Sequence, residues 1–240
     1  SSRLGGGMGY KAPTIFTEDT ERIQYKDIMP ISKSLNKLER SYGANWDINY
    51  STSLFNDCIS LSVNQLFFYT RINSPLLMTA GEDGFYRMAN INGHIDTKGI
   101  ETNLKLGYDD LHLYLGYTYT DVRTSDGHEK YENFLTPKHR LNAILMYEVE
   151  DSWRVGLESY YYSKQKLSDG KEGKPYTMFG LMVEKIWEHF SVFANFENFT
   201  DRRQTRFDTI NNGTVTNPEF RDIYAPLEGF VFNAGIKIRL

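Results

Sequence analysis

The residues best suited to chemistry lie in one polar stretch near the C-terminus, where arginines alternate with aromatic side chains. This cluster comprises Arg202, Arg203, Arg206, Phe207, Arg221 and Tyr224. A guanidinium group can bind an anionic group through two parallel hydrogen bonds and can also stack on an aromatic ring. The cluster therefore predicts a binding surface for an anionic ligand. The alternative is that the arginines pair with the nearby carboxylates of Asp201, Asp208 and Asp222.

No arrangement of residues predicts catalysis or a metal centre. The histidines lack metal-ligand spacing, and they are His94, His112, His128, His139 and His189. The glycine-rich run at residues 5–9 opens no predicted helix, so it does not resemble a phosphate-binding loop. The single cysteine, Cys58, cannot form an internal disulfide. We therefore expect no enzyme activity, no catalytic residue, no cofactor and no bound metal.

The elements that must position these residues are strands with one apolar and one polar face. The last predicted strand, residues 230–240, shows this alternation best. Its apolar side chains are Phe230, Phe232, Ala234, Ile236, Ile238 and Leu240, and its polar or small ones are Asn233, Gly235, Lys237 and Arg239. Successive side chains of a strand point to opposite sides, so each such strand has one apolar face and one hydrated face.

About ten segments of this kind follow one another, joined alternately by tight turns and long polar loops. The predicted long loops are residues 10–37, 73–82, 124–136, 165–175 and 199–227. Residues 85–108 are predicted to form one long strand with an irregularity near Asn92 and Gly93. Strands with this pattern and these connections are typical of an all-β, transmembrane antiparallel β-barrel. In bacterial barrels the short turns face the periplasm and the long loops face outside.

The same alternation also fits a soluble β-sandwich or a barrel with its apolar face inside. Three features favour lipid on the apolar face. The polar faces mix charged residues with Gly and Ser, the strands are long, and the aromatic residues cluster near strand ends. Aromatic girdles mark the two interfaces of a membrane barrel. We predict that the girdle near the short turns contains Trp46, Trp153 and Trp187. We predict that the girdle near the long loops contains Tyr69, Tyr117, Tyr119, Tyr161 and Tyr176.

Composition is consistent with this class. The chain has 240 residues and a formal net charge of −4, which provides no basic surface for nucleic acid. Aromatic residues make up 15% of the chain, enough to supply two girdles. No secretory signal is evident and residues 1–5 read as the middle of a strand, so we expect the sequence to be a piece of a longer protein.

Six short segments resemble, in order, the TonB-dependent outer-membrane receptors. Residues 9–13, Gly-Tyr-Lys-Ala-Pro, are similar to the family pattern G-[FY]-[KR]-A-P. The six segments are residues 7–16, 38–43, 90–101, 117–121, 136–141 and 195–201. Each pattern is weak alone, but together they span the chain. Two departures are Lys37, where the family usually has proline, and the terminal Leu240, where many outer-membrane proteins have Phe.

The resemblance implies a plugged barrel of about 22 strands in the outer membrane of a Gram-negative bacterium. Residues 1–240 would be its C-terminal portion, about the last ten strands, with the N-terminal plug and first barrel half absent. The implied function is active import of a scarce nutrient, and we favour a metal chelate such as a ferric siderophore, haem or cobalamin. Alternatives are a passive porin or adhesion-type barrel, and a TonB-dependent importer of glycans or peptides. A soluble ligand-binding β-domain is a further alternative.

The implied partners are the protein's own plug, the TonB complex acting through the plug, outer-membrane lipid and lipopolysaccharide, and the chelate itself. Lipopolysaccharide phosphates are a second alternative for the arginines of the last loop. The predicted ligand contacts in the extracellular loops are Tyr10, Phe16, Arg22, Tyr25, Arg203, Arg206, Phe207 and Arg221. The residues predicted to face the plug or a hydrated lumen are Asp47, Glu101, Lys105, Arg154, Glu158, Lys237 and Arg239.

Overall fold

The computed structural model describes residues 1–34 and 36–239, except for the side chains of Glu18 and Arg22. Its strands are β1 (Ser2–Lys11), β2 (Glu39–Leu54), β3 (Ile59–Asn73), β4 (Leu76–Ala80), β5 (Tyr86–Asn90), β6 (His94–Tyr108), β7 (Leu111–Ser125), β8 (Lys130–Glu132), β9 (His139–Val149), β10 (Trp153–Tyr162), β11 (Gln165–Lys166), β12 (Glu172–Gly173), β13 (Tyr176–Ile186), β14 (Phe190–Glu197) and β15 (Val231–Ile238). The helices are α1 (Glu18–Arg22) and α2 (Gln204–Phe207). Within the described residues, no helix has the length and apolar character needed to cross a membrane.

Ten strands form one continuous antiparallel sheet in the order β1-β2-β3-β6-β7-β9-β10-β13-β14-β15, with β8 paired beside β7. Each of the ten pairs with the strand that precedes or follows it along this path. This meander confirms the predicted all-β architecture and the predicted number of barrel strands. The predicted last strand ended at Leu240, which lies outside the described residues.

The strand register aligns the apolar faces into continuous rows. One row, here called the leucine row, takes one side chain from each of eight neighbouring strands. Its members are Leu61, Leu106, Leu113, Leu145, Leu157, Leu181, Phe196 and Phe232. Many large apolar side chains on this face are exposed, among them Leu145 and Leu157. Because a transmembrane barrel keeps its apolar side chains outside, the leucine row marks the lipid face and the opposite face lines the interior.

The connections alternate as predicted. Tight turns at residues 55–58, 109–110, 150–152 and 187–189 join β2 to β3, β6 to β7, β9 to β10 and β13 to β14. The other connections are long, and we number them loop 1 (12–38), loop 2 (74–93), loop 3 (126–138), loop 4 (163–175) and loop 5 (198–230). All five long loops therefore lie at the same end of the sheet.

The strand predicted over residues 85–108 is interrupted at residues 91–93, where the irregularity was predicted, but it is wrong to count its first part as barrel strand. Residues 86–90 form β5, which pairs with β4 in a separate two-stranded sheet within loop 2. The Asn90 side chain causes the departure, because its Nδ2 donates to the carbonyls of Ser74 and Lys37, at 2.7 and 3.2 Å. Its Oδ1 accepts from the backbone N–H of Lys37 at 2.7 Å. These bonds hold residue 90 against loop 1 and the start of loop 2.

The aromatic girdle prediction holds only in part. Trp153 and Trp187 lie beside short turns, and both rings contact the Lys185 ammonium. Trp46 instead lies in the middle of β2 and stacks on Phe67 with ring centroids 5.5 Å apart. Tyr176 lies at the loop end of β13 but on the interior face. The other four predicted girdle tyrosines lie on the lipid face, and they are Tyr69, Tyr117, Tyr119 and Tyr161. A residue's distance from a turn cannot be read from sequence until the strand ends are known.

Candidate ligand-binding surface of the long loops

Loops 4 and 5 pack together over the interior face of the last strands. Their shared core is formed by the buried side chains of Leu167, Tyr176, Tyr224 and Ala225. Tyr162, Met178 and Phe207 pack around this core. The rings of Tyr162 and Tyr176 stack with centroids 4.9 Å apart. Burial of this apolar surface gives two long polar loops a common hydrophobic core.

Gln204, the first residue of α2, is fully buried and holds loop 5 together. Its Oε1 accepts hydrogen bonds from the backbone N–H groups of Tyr224 and Ala225, at 2.8 and 3.1 Å. Its Nε2 donates to the backbone carbonyl of Asp222 at 2.9 Å. One side chain thus satisfies three backbone groups that would otherwise be buried without partners.

A second set of contacts connects the two loops through Arg221 and Asp208. The Arg221 Nη1 donates to Asp208 Oδ1 at 2.9 Å, and its Nε lies 3.4 Å from Asp169 Oδ2 in loop 4. The Tyr224 hydroxyl donates to the other Asp208 oxygen at 2.6 Å. Only 11% of the Arg221 side chain is exposed. Arg221 therefore supports the loops instead of joining the predicted ligand contacts.

The remaining arginines of the cluster and Phe207 form an accessible group, here called the arginine shelf. Its arginines are Arg202, Arg203 and Arg206. The Arg202 guanidinium lies 4.0 Å from the centre of the Phe207 ring, within cation–π distance. Arg203 and Arg206 both pair with Asp201, through N–O distances of 2.8 and 2.5 Å. The Arg206 side chain is 58% exposed. The shelf carries three guanidinium groups and one paired carboxylate, so it has an excess of positive charge.

Asp208 and Tyr224 make the loop 4–loop 5 unit sensitive to pH. Burial raises the pKa of the Asp208 carboxyl, but hydrogen bonds from Tyr224 and the Thr209 N–H, with the Arg221 charge, outweigh it and hold the pKa below its usual value. Burial, then the bond to Asp208, raises the pKa of Tyr224 to about 12. The stability that Asp208 gives to the folded loops is present above the ordinary Asp pKa of about 4 and is lost as the pH falls below it. The stability that Tyr224 gives to the folded loops is present below about pH 10 and is lost as the pH rises from about 10 to about 12.

We therefore expect loops 4 and 5 to open at both extremes of pH. Amide hydrogen exchange of residues 198–230, corrected for the intrinsic pH dependence, should show maximal protection between about pH 5 and 9. Asp208→Asn should remove most of the loss of protection at low pH, because it eliminates the titrating carboxyl. A protection profile that is flat from pH 3 to 12 would contradict this assignment.

The predicted contacts of loop 1 separate into two places. Phe16 and Tyr25 meet edge to face with ring centroids 5.9 Å apart, and both line a shallow depression beside Lys11. Tyr10 lies on the lipid face of β1, in the same set of alternate positions as Leu4 and Met8. Its position corrects the prediction of a ligand contact, because it points away from the interior. The side chain of Arg22 lies outside the described residues.

Loops 1 and 2 also form a joint unit, which the sequence did not predict. Residues 27–29 run beside β5, where the Tyr86 N–H donates to the Asp27 carbonyl and the Met29 N–H donates to the Tyr86 carbonyl. The Asn36 Nδ2 donates to the Met88 carbonyl at 2.6 Å. In the sequence, residues 86–90 show only an alternation of side chains, which predicts a barrel strand as readily as a strand within a loop. The loop end of the sheet therefore carries two structured loop pairs, loops 1–2 and loops 4–5.

All the residues predicted to face the plug or lumen occur on the interior side of the register, opposite the leucine row. They are Asp47, Glu101, Lys105, Arg154, Glu158, Lys237 and Arg239. Arg239 lies just past β15, and its Nη1 is 3.9 Å from Asp151 in a short turn. The strand order places the set along the whole sheet, so it forms a lining and not a single site. Contact with a plug stays a prediction.

Part of this lining neutralises itself through a ladder near the short turns. The Glu184 carboxylate is nearly buried and accepts from Ser191 at 2.6 Å and from Lys237 at 3.0 Å. Arg154 pairs with Glu148 at 2.6 Å and lies 3.8 Å from Glu184. The contacts bridge five strands, β9, β10, β13, β14 and β15. These interior charges therefore stabilise the wall.

In the part of the chain that the structure describes, no group of three or more His, Cys, Asp or Glu side chains could hold a metal ion. The geometry provides an arginine–aromatic shelf at the loop end and a polar interior wall below it. Such an arrangement can bind an anion.

The chain matches a family model described as TonB dependent receptor-like, beta-barrel, over residues 3–199. No curated protein matches it in sequence. Among solved structures it is similar to the copper transporter OprC, with a TM-score of 0.69 and 14% identity over 99% of this chain and 37% of that one. It is also similar to a mutant ferric enterobactin receptor, PfeA, of Pseudomonas aeruginosa in complex with enterobactin, with a TM-score of 0.69 and 18% identity over 98% of this chain and 38% of that one.

A third similar structure is the FrpB iron transporter of Neisseria meningitidis, with a TM-score of 0.66 and 13% identity over 98% of this chain and 35% of that one. At such identities the likeness shows the fold alone. The chain spans a little over a third of the length of these proteins.

Proposed function

The chain belongs to the TonB-dependent receptor β-barrel family, and on that premise we propose that it is part of an outer-membrane importer of an anionic metal chelate. In this proposal the barrel is embedded in the outer membrane of a Gram-negative bacterium. Ligand binds at the long loops, and the TonB complex drives import through a plug held inside the barrel. This chain contributes binding surface and wall, without catalysis.

The observation that carries the choice of ligand is the arginine shelf. Ferric catecholates and related chelates combine negative charge with flat aromatic or conjugated groups. Guanidinium groups recognise both properties, by charge-assisted hydrogen bonds and by stacking. The exposed Arg206 and the Arg202–Phe207 pair provide both kinds of contact within one ordered loop. The names of the copper and iron transporters that share the fold support a metal-containing ligand.

The proposal is tested by calorimetric titration of the full-length protein in detergent with ferric catecholate and hydroxamate siderophores, haem and cobalamin. We expect submicromolar binding of one chelate class. Arg206→Ala should weaken that binding about tenfold to hundredfold, because a hydrogen bond to a charged group contributes about 1.5–3 kcal/mol.

The matched control is Arg87→Ala. Arg87 is also an exposed loop arginine in an ion pair, with Asp83 at 2.5 Å, but it lies in loop 2. Its loss should leave the affinity unchanged. Failure of all the chelates to bind would refute the proposal and direct the search to glycans, peptides or passive permeation. Equal losses for both variants would show a general charge effect instead of a site on the shelf.

A further inference from the structure

An open cavity of about 530 Å³ lies on the interior face of β10, β13 and β14, next to the start of loop 5. Its lining combines carboxylates, an amide and a phenol on the two outer strands with two thioethers and a glycine on β13. The residues are Glu158, Tyr160, Asn195 and Glu197, and from β13 Met178, Gly180 and Met182. None of them belongs to the arginine shelf, so the two surfaces are distinct.

Strand register brings the two carboxylates to either side of Gly180. Gly180 pairs with Glu158 on one side, and on the other side Leu181 pairs with Phe196, the residue before Glu197. The backbones of the two glutamates are therefore two strand spacings apart, about 10 Å. The space above Gly180 is open, because the nearest atom to a Cβ added there would be Glu158 Oε2, at 3.7 Å. The glycine thus leaves a gap that both carboxylates border.

The two carboxylates lack cationic partners. In the described part of the chain neither Glu158 nor Glu197 forms an ion pair, whereas Glu184 of the same face does. The Tyr160 hydroxyl donates to Glu158 Oε2 at 2.7 Å, and the Asn233 Nδ2 donates to Glu197 Oε1 at 3.0 Å. The second oxygen of each carboxylate can therefore accept further hydrogen bonds, and the cavity carries two uncompensated negative charges.

Asn195 supplies an independent sign of a missing donor. Its Nδ2 donates to Asn233 Oδ1 at 2.9 Å, and the Asn233 Nδ2 in turn donates to Glu197. Because a carboxylate can only accept, this chain of hydrogen bonds fixes the orientation of both amides. The Asn195 Oδ1 is left buried, and no described residue donates to it. A buried acceptor without a partner costs free energy, which a donor in the cavity would recover.

We propose that this cavity binds the primary ammonium group of a small organic amine. An ammonium group carries a positive charge and three N–H donors. These donors match the two carboxylates and the Asn195 amide oxygen. The thioethers of Met178 and Met182 and the ring of Tyr160 provide soft, apolar contacts for the carbon chain of the amine.

A hard metal ion fits the cavity less well than an amine. Ca²⁺ takes about six to eight oxygen ligands, and the cavity offers two carboxylates and one amide oxygen beside two thioethers. Thioethers are soft ligands that do not suit such ions. The inference does not depend on which nutrient is imported, because the arginine shelf attracts negative charge and this cavity attracts positive charge.

The test is calorimetric titration of the full-length protein in detergent with 1,5-diaminopentane, and with 1,5-pentanediol as a neutral probe of the same length. We expect the diamine to bind and the diol not to bind. Glu158→Gln and Glu197→Gln should each weaken diamine binding about tenfold to hundredfold, because each removes a charged hydrogen-bond acceptor. The matched control is Glu101→Gln. Glu101 is an interior carboxylate that accepts from Asn103 at 2.7 Å, but it lies on β6, outside the cavity, so affinity should be unchanged.

Gly180→Leu tests the cavity without a change of charge, since its side chain would fill the gap between the glutamates and should abolish diamine binding. Heat-modified mobility on gels shows whether each variant is folded, and the two glutamine variants decide the result if Gly180→Leu does not fold. Absence of diamine binding, equal binding of the diol, or equal losses for Glu158→Gln and Glu101→Gln would overturn the proposal. Displacement of the diamine by millimolar Ca²⁺ at constant ionic strength would overturn it as well, because it would indicate a metal site.

Discussion

Leu157→Arg should destabilise the barrel by about 2–4 kcal/mol, because it places a charge in the middle of the lipid face. Leu157 is the fifth residue of β10 and lies between Leu145 and Leu181 in the leucine row. An arginine there has no interior partner and must reach past neighbouring apolar side chains to find water. Urea titration of the protein folded into phospholipid vesicles, followed by tryptophan fluorescence, measures the loss.

Ser62→Arg is the matched control, because it places an arginine at the same depth in the bilayer but on the other face of the sheet. Ser62 adjoins Leu61 of the leucine row, but it faces the interior, where its hydroxyl lies 3.0 Å from that of Ser51. A hydrated interior accommodates the new charge, so we expect a loss below about 1 kcal/mol. Equal losses of stability would contradict the assignment of the two faces, and a larger loss for Ser62→Arg would reverse it.

Gln204→Ala should open loop 5 while leaving the barrel folded. The change deprives three buried backbone groups of their partner, and each unsatisfied group costs about 1–3 kcal/mol. A loss of about 3 kcal/mol in local stability corresponds to a hundredfold or greater increase in amide exchange. Because loops 4 and 5 share one core, exchange should rise in residues 163–175 as well as in 198–230.

Thr205→Ala is the control for this change, since Thr205 is the next residue of α2 and its side chain is exposed. Its exchange profile should match that of the unmodified protein. A Gln204→Ala protein with unchanged exchange in both loops would show that the buried hydrogen bonds do not hold loop 5. Faster exchange throughout the strands would show that the loop is not an independent unit.

Much of the fold follows from the sequence because side-chain alternation is local. The apolar faces of β6, β7 and β10 could be assigned from neighbouring residues alone, and the tight turns fell where polar pairs such as Asp109–Asp110 interrupt the pattern. The loop contacts could not be predicted in this way. Residues 86–90 alternate like a barrel strand, and only their pairing with β4 and with residues 27–29 of loop 1 assigns them to a loop sheet.

The candidate site was predictable as a cluster and not in its details. Arginines beside aromatics identified loop 5, and the structure places Arg202 on Phe207 as that chemistry suggests. The sequence could not show that Arg221 forms ion pairs with both Asp208 and Asp169, because the partner in loop 4 is 52 residues away. Tyr10 was predicted to begin the first long loop, but β1 continues to Lys11 and places Tyr10 on the lipid face of a strand.

The central claim is that the face bearing the leucine row contacts lipid and the opposite face does not. It is tested most directly by placing a nitroxide label in turn on Val155, Gly156, Leu157 and Glu158 of β10, each changed to Cys. The exposed Cys58 is first replaced by Ser. We predict that labels at 155 and 157 are relaxed mainly by oxygen dissolved in the bilayer, and labels at 156 and 158 mainly by a water-soluble nickel chelate or by neither reagent. The reverse alternation, or four labels all relaxed by the aqueous reagent, would contradict the account.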